Sequence, residues 1–157
     1  MGINRGKQFE TIVKDCFQKI DNLTIYRLYD TTNGFSGVAN ISDFIIYQKP
    51  VMLFLECKSV HGKSFPLSNL TDTQYSGMLH HAETNGVKCG VLIWFIDIDK
   101  TYYINIQEIK RIKEQGKKSI SEKDLLNDLC VSFLIKGNKK RVFFDYDFSP
   151  LMDYLKS

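Results

Sequence analysis

Residues 42–58, SDFIIYQKPVMLFLECK, decide the fold. Ser42 to Tyr47 reads as one strand, and the apolar run Val51-Met52-Leu53-Phe54-Leu55 reads as a second, buried one that carries Glu56, Cys57 and Lys58 at its end. Side chains alternate along a strand, so Glu56 and Lys58 share a face, about 7 Å apart along the backbone. If the two strands form a hairpin turning at Lys49-Pro50, paired residue numbers sum to 99, and 43 plus 56 is 99. Asp43 then stands opposite Glu56, with Cβ atoms about 5 Å apart. Two like charges so placed destabilise a sheet unless something positive lies between them. A divalent metal answers that need.

A chain of 157 residues suits one compact domain, 1–157. Its 43% hydrophobic and 25% charged residues place it among ordinary globular proteins rather than disordered ones. No apolar stretch approaches the ~20 residues of a membrane span, and Met1 to Arg5 lacks the apolar core of a signal peptide. A cytoplasmic protein is expected. Cys16, Cys57, Cys89 and Cys130 are widely spaced in apolar contexts and read as reduced core thiols; no Cys and His pair has zinc-ligand spacing. The net charge of +3 is too mild to indicate nucleic acid by itself. Lys110, Arg111, Lys113, Lys117 and Lys118 cluster, however, as do Lys136, Lys139, Lys140 and Arg141. Two readings stand for these groups, phosphate contacts or solvated faces.

Phe9, Ile12, Val13, Cys16, Phe17 and Ile20 recur at helical spacing and predict a helix over 5–20, with Asn4 as N-cap. A strand is expected from Leu23 to Tyr29, then a long turn-rich segment over 30–41, then the hairpin strands 42–48 and 51–58. A loop over 61–66 leads to a helix over 71–84, closed by Asn85-Gly86. Strands Cys89–Ile96 and Tyr102–Ile106 should pair, followed by short surface helices over 107–115 and 121–129. Val142–Tyr146 suggests a late strand, and Ser149-Pro150 starts a last helix through Lys156 with Ser149 as N-cap. This order implies an α/β layer fold with a mixed sheet.

Glu10 lies about 20° beyond the apolar stripe of its helix. From there it leans over the sheet that carries Asp43 and Glu56, or it is an exposed acid favoured by the helix macrodipole. Asp43 and Glu56 suit a hard cation such as Mg²⁺, and the carbonyl of Cys57 adds a third oxygen from the same strand. Lys58, beside them, would orient a nucleophile or stabilise charge on a phosphate. The Cys57 thiol points to the other side of the sheet and is no nucleophile.

An Asp followed by Glu-x-Lys on a strand hairpin resembles the PD-(D/E)xK nuclease superfamily, and several segments resemble its RecU-type Holliday junction resolvases. Asn4-Arg5-Gly6 with Glu10 is similar to that family's N-terminal Asn-Arg-Gly…Glu motif. Asp43 with Glu56-Cys57-Lys58 matches its Asp…Glu-Ala-Lys at the same separation. Ser64-Phe65-Pro66-Leu67 followed by Gln74 is similar to its Ser-Phe-Pro-Leu…His-Gln segment. The likeness spans roughly residues 3–96. Ser42 stands where superfamily members often have Pro, and Thr73 precedes Gln74 where the family has His.

The resemblance implies a restriction-endonuclease-like core, a mixed β-sheet flanked by helices, with a stalk loop protruding at about 30–41. It implies a homodimeric, Mg²⁺-dependent endonuclease, with Mn²⁺ able to substitute, that resolves four-way DNA junctions. The alternatives are another nuclease of the superfamily, of restriction or repair type, or a non-catalytic protein that binds branched DNA. Glu10, Asp43, Glu56, Lys58 and Gln74 would form the catalytic set, with the metal on Asp43, Glu56 and Cys57. DNA contacts are expected from Arg5, Lys7, Lys63, Lys110, Arg111 and Lys113, and from Phe35 as a wedge in the stalk. The chain lacks the N-terminal basic arm common in bacterial members, which suits a phage-encoded form acting in the host cytoplasm.

Overall fold

The computed structural model describes residues 4–29, 40–141 and 144–157. Its elements are α1 (Arg5–Gln18), β1 (Thr24–Arg27), β2 (Phe44–Gln48), β3 (Val51–Val60), β4 (Ser64–Pro66), α2 (Asp72–His81), β5 (Val87–Phe95), β6 (Lys100–Asn105), α3 (Ile106–Glu114), β7 (Ser119–Ser121), α4 (Glu122–Leu126), β8 (Phe133–Ile135), β9 (Gly137–Lys139), β10 (Phe144–Tyr146) and α5 (Ser149–Lys156). The main sheet runs β1-β2-β3-β5-β6-β8. Only its β3–β5 pair is parallel, and α2 makes the crossover that a parallel pair requires. The sheet is therefore mixed, as expected.

Alternation along β3 splits the molecule into two cores. Val51, Leu53, Leu55 and Cys57 pack with Phe9, Val13 and Phe17 of α1 and Leu151, Met152 and Leu155 of α5. Val60 faces the opposite side, where Met78 of α2 and Ile109 and Ile112 of α3 cover Val91, Ile93 and Phe95. Both faces of β3 and β5 are covered along most of their length, which explains their nearly continuous apolar runs. All four cysteines are free and buried.

Several expectations need correction. The expected loop 61–66 holds β4, which pairs antiparallel with β7; three-residue strands are too short to show a period. The strands β8 and β9 escaped for the same reason. The helix expected over 121–129 ends at Leu126, because Asp128 turns at φ 55° and the N–H groups of Leu129 and Cys130 return to the Asp124 carbonyl. The N-cap of α5 is Phe148, not Ser149; the Asp147 carboxylate accepts the Ser149 N–H at 3.0 Å. The proposed stalk, including Phe35, lies outside the described residues except at its end, 40–41.

Gly90 of β5 sits under the fully buried ring of Tyr103, whose hydroxyl is held by Asn105 at 2.8 Å. A Cβ at position 90 would come within 2.4 Å of that ring. Gly90→Ala should therefore destabilise the protein by about 1–3 kcal/mol in denaturant unfolding, through overpacking alone. An unchanged midpoint would contradict this packing.

Candidate active site

The β2–β3 ladder runs from Gln48↔Val51 to Phe44↔Leu55, so each pair sums to 99 as expected. Asp43 lies one step beyond the last pair. Its N–H donates to the Leu55 carbonyl at 3.1 Å, and its carbonyl accepts the Leu28 N–H at 2.8 Å. β2 begins here while β3 continues to Val60, which leaves main-chain groups of β3 without a strand partner on that edge. The Asp43 carboxylate fills the gap by accepting the Cys57 N–H at 2.8 Å. This bond aims Asp43 along the sheet edge toward Glu56.

Glu56 is 3% exposed. Its Oε2 accepts from Gln74 Nε2 at 2.6 Å and lies 3.3 Å from Lys58 Nζ. Burial, then the charge of Asp43, push the Glu56 acid up to about 9, with Lys58 opposing. Gln74 is oriented by a capping box: its N–H donates to Thr71 Oγ1 and its Oε1 accepts the Thr71 N–H, which leaves Nε2 for Glu56. The Thr71-x-x-Gln74 spacing is the capping-box signature, a signal the sequence reading did not use.

Glu10 reaches the site from α1, whose register is set by Asn4 capping the Lys7 N–H at 3.0 Å. It is half-buried, which settles the two readings of its position: it is no freely exposed acid. Burial and then Asp43 raise its acid, while Arg27 and Lys58 pull the other way. Arg27 of β1 donates to the Glu10 carboxylate. No sequence signal pointed to Arg27, a lone cation in a four-residue strand.

Glu10, Asp43, Glu56, Lys58 and Gln74 are thus brought together, and Cys57 joins them by its main chain. The Cys57 thiol is buried in the α1-side core, and burial raises it well above the usual thiol range. Among the described residues no group of three or more His, Cys, Asp and Glu side chains forms a metal cluster. A pair of carboxylates, one buried and forced against the other, with a carbonyl nearby, still fits a hard cation that keeps several waters.

The chain matches Recombination protein U over residues 4–156. It belongs to the RecU family of Holliday junction resolvases. Among solved structures, it is similar to Hjc of Archaeoglobus fulgidus, a Holliday junction resolvase from an archaeal hyperthermophile, with TM-score 0.54 and 16% identity over 75% of this chain and 89% of that one. That likeness bears out the restriction-endonuclease-like fold. No curated protein matches the chain in sequence.

The expected DNA contacts of this RecU-family chain are dispersed. Arg5 and Lys7 lie in the first turn of α1, and exposed Lys63 follows β3. Lys113 lies over the Tyr75 ring at 4.2 Å, beside the start of α2. Lys110 faces Glu114 at 3.9 Å. Arg111 is engaged by Glu108 and by the Leu129 carbonyl at 2.9 Å, so its guanidinium holds the 129–131 segment in place. Phe35 is outside the described residues. No described helix is long and apolar enough to cross a membrane.

The raised Glu56 pKa has a thermodynamic consequence. Folded Glu56 keeps its proton to about pH 9, whereas an unfolded chain releases it near 4.5. Between those values the folded state binds the extra proton, so stability falls as pH rises. In chelator, the melting temperature should decline across that window, and Glu56→Gln should flatten the decline. An identical slope in the variant would contradict it.

Proposed function

We propose that this resolvase cuts four-way junctions by hydrolysis at the Asp43–Glu56–Lys58 site, with Mg²⁺ held by the two carboxylates and the Cys57 carbonyl, and with Mn²⁺ able to substitute. One observation carries the reading: at a sheet edge Asp43 is held on the Cys57 N–H at 2.8 Å, next to buried Glu56, whose carboxylate lies 3.3 Å from the Lys58 amine. A bound cation there would supply Lewis-acid polarisation of the phosphate and a lowered pKa for attacking water. Asp43 and Glu56 bind and orient. Lys58, on the same strand face, positions the water and stabilises negative charge on the phosphate oxygens as the P–O bond breaks. Gln74 fixes the Glu56 carboxyl through its own capping box, and Glu10 adds an acid from the opposite helix. On the same reading Arg5, Lys7, Lys63 and Lys113 contact the DNA backbone, and Phe35 keeps the wedge role that the family resemblance implies.

Two symmetric nicks need two sites related by a two-fold axis, so we read the working form as a homodimer. One surface supports this. Thr24, Tyr47 and Met52 form one cross-strand row, and Tyr26 and Ile45 a second, on the face of β1–β3 turned away from α1. Tyr26 is 70% exposed, and no side chain in either row is charged. A cytoplasmic setting, in a bacterium or a phage-infected host, suits a DNA-processing protein of this kind.

The test is cleavage of a synthetic four-way junction in Mg²⁺ or Mn²⁺, with linear duplex as control. Asp43→Asn should lose roughly a hundredfold or more in rate while still binding the junction. A variant that cuts as fast as the parent would sink the mechanism.

A further inference from the structure

Arg27 has no part in the hydrolytic step as derived from Asp43, Glu56 and Lys58, yet its contact with Glu10 lies against that site. Arg27 is the last residue of β1 and pairs with Phe44, the neighbour of Asp43. The next residue, Leu28, donates its N–H to the Asp43 carbonyl at 2.8 Å. The guanidinium carbon lies 5.2 Å from the centre of the Tyr29 ring and 5.8 Å from that of Phe44. The guanidinium donates to Glu10 Oε2, and the two side chains are only 22% and 18% exposed. This is a shielded pair with a planar donor packed near aromatic rings, not a solvated surface bridge.

The pair matters because two cations compete for the acids here. Lys58 attracts Glu10 as well as Glu56. Without Arg27, a half-buried Glu10 would face Asp43, with Lys58 left as a counter-charge acting on it. An isolated carboxylate at such burial is costly and seeks a cation. Lys58 would be drawn off Glu56 and away from the phosphate it serves.

We propose that Arg27 is a positioning residue that anchors Glu10 on the α1 side of the site, and so keeps Lys58 available to Glu56 and the scissile phosphate. The inference rests on the proposed role of Lys58. Arg27 acts through Glu10 and need not touch DNA.

A double-mutant cycle tests it, with single-turnover cleavage rates at saturating junction, junction dissociation constants and melting temperatures measured for each variant. Arg27→Met should slow cleavage roughly 10- to 100-fold with junction affinity within about twofold of the parent. Arg27→Lys keeps the charge without the planar fork, so its rate should fall between Met and parent. If the Met variant does not fold, the Lys variant carries the cycle. With Glu10→Gln present there is no charge left to capture Lys58, so adding either Arg27 substitution should slow the enzyme no further. Multiplying losses in the double variant would overturn the proposal. So would weakened junction binding at an unchanged saturated rate, which would make Arg27 a direct DNA contact. Asp43→Asn, run alongside, separates this failure from failure of the hydrolytic reading: a fully active Asp43→Asn enzyme indicts the site itself, whereas an inactive one leaves only Arg27 in question.

Discussion

The rest of the structure depends on the register of one hairpin. Because β2 and β3 pair with numbers summing to 99, Leu53, Leu55 and Cys57 enter the core under α1, and Glu56 and Lys58 turn to the other face. A slip by one residue would exchange these sets, burying two charges under α1 and exposing three apolar side chains. Register is thus enforced by the hydrophobic core, and the core in turn forces Asp43 and Glu56 together. Neither carboxylate can escape, since Asp43 is bound to the Cys57 N–H and Glu56 to Gln74. Two acids held this close, one of them kept protonated, are an unfavourable arrangement maintained by packing elsewhere, as is common at sites that do chemistry.

Topology explains why helices from both layers converge on this spot. The parallel β3–β5 pair obliges the chain to return through α2, so the first turn of α2 follows the end of β3 where Glu56 and Lys58 lie. Gln74 sits in that turn, and the same amide that caps the helix holds the buried acid. From the other layer, α1 delivers Glu10 past the point where β2 gives out. The site is therefore a seam at which a strand edge, the second turn of α1, the start of α2 and the end of β1 meet.

What could be read in the sequence follows signal length. The apolar run at 51–55 and the helix stripe from Phe9 to Phe17 are long enough for a period to show, and both elements stand where expected. Asp43 and Glu56 were legible because hairpin register is arithmetic once the turn is known. The Glu108–Arg111 contact was open to the same reasoning, as i and i+3 on one helix, yet the basic cluster around Arg111 suggested DNA instead. Arg27 was beyond reach: its significance lies in a partner seventeen residues away on another layer. Strands β4, β7, β8 and β9 carry three residues each, too few to distinguish from loop. The junction-resolving activity came from motifs in order along the chain, not from the physics of any single residue.

On the reading proposed above, the Asp43–Glu56 pair binds a cation whose arrival displaces the Glu56 proton. Calorimetric titration of Mg²⁺ into the metal-free protein at pH 8, in two buffers of different ionisation enthalpy, measures both binding and proton release. With Glu56 pushed up to about 9, saturable binding should release close to about one proton per site, and Glu56→Gln should abolish that release. Binding with no proton released, or the same release from Glu56→Gln, would contradict the account.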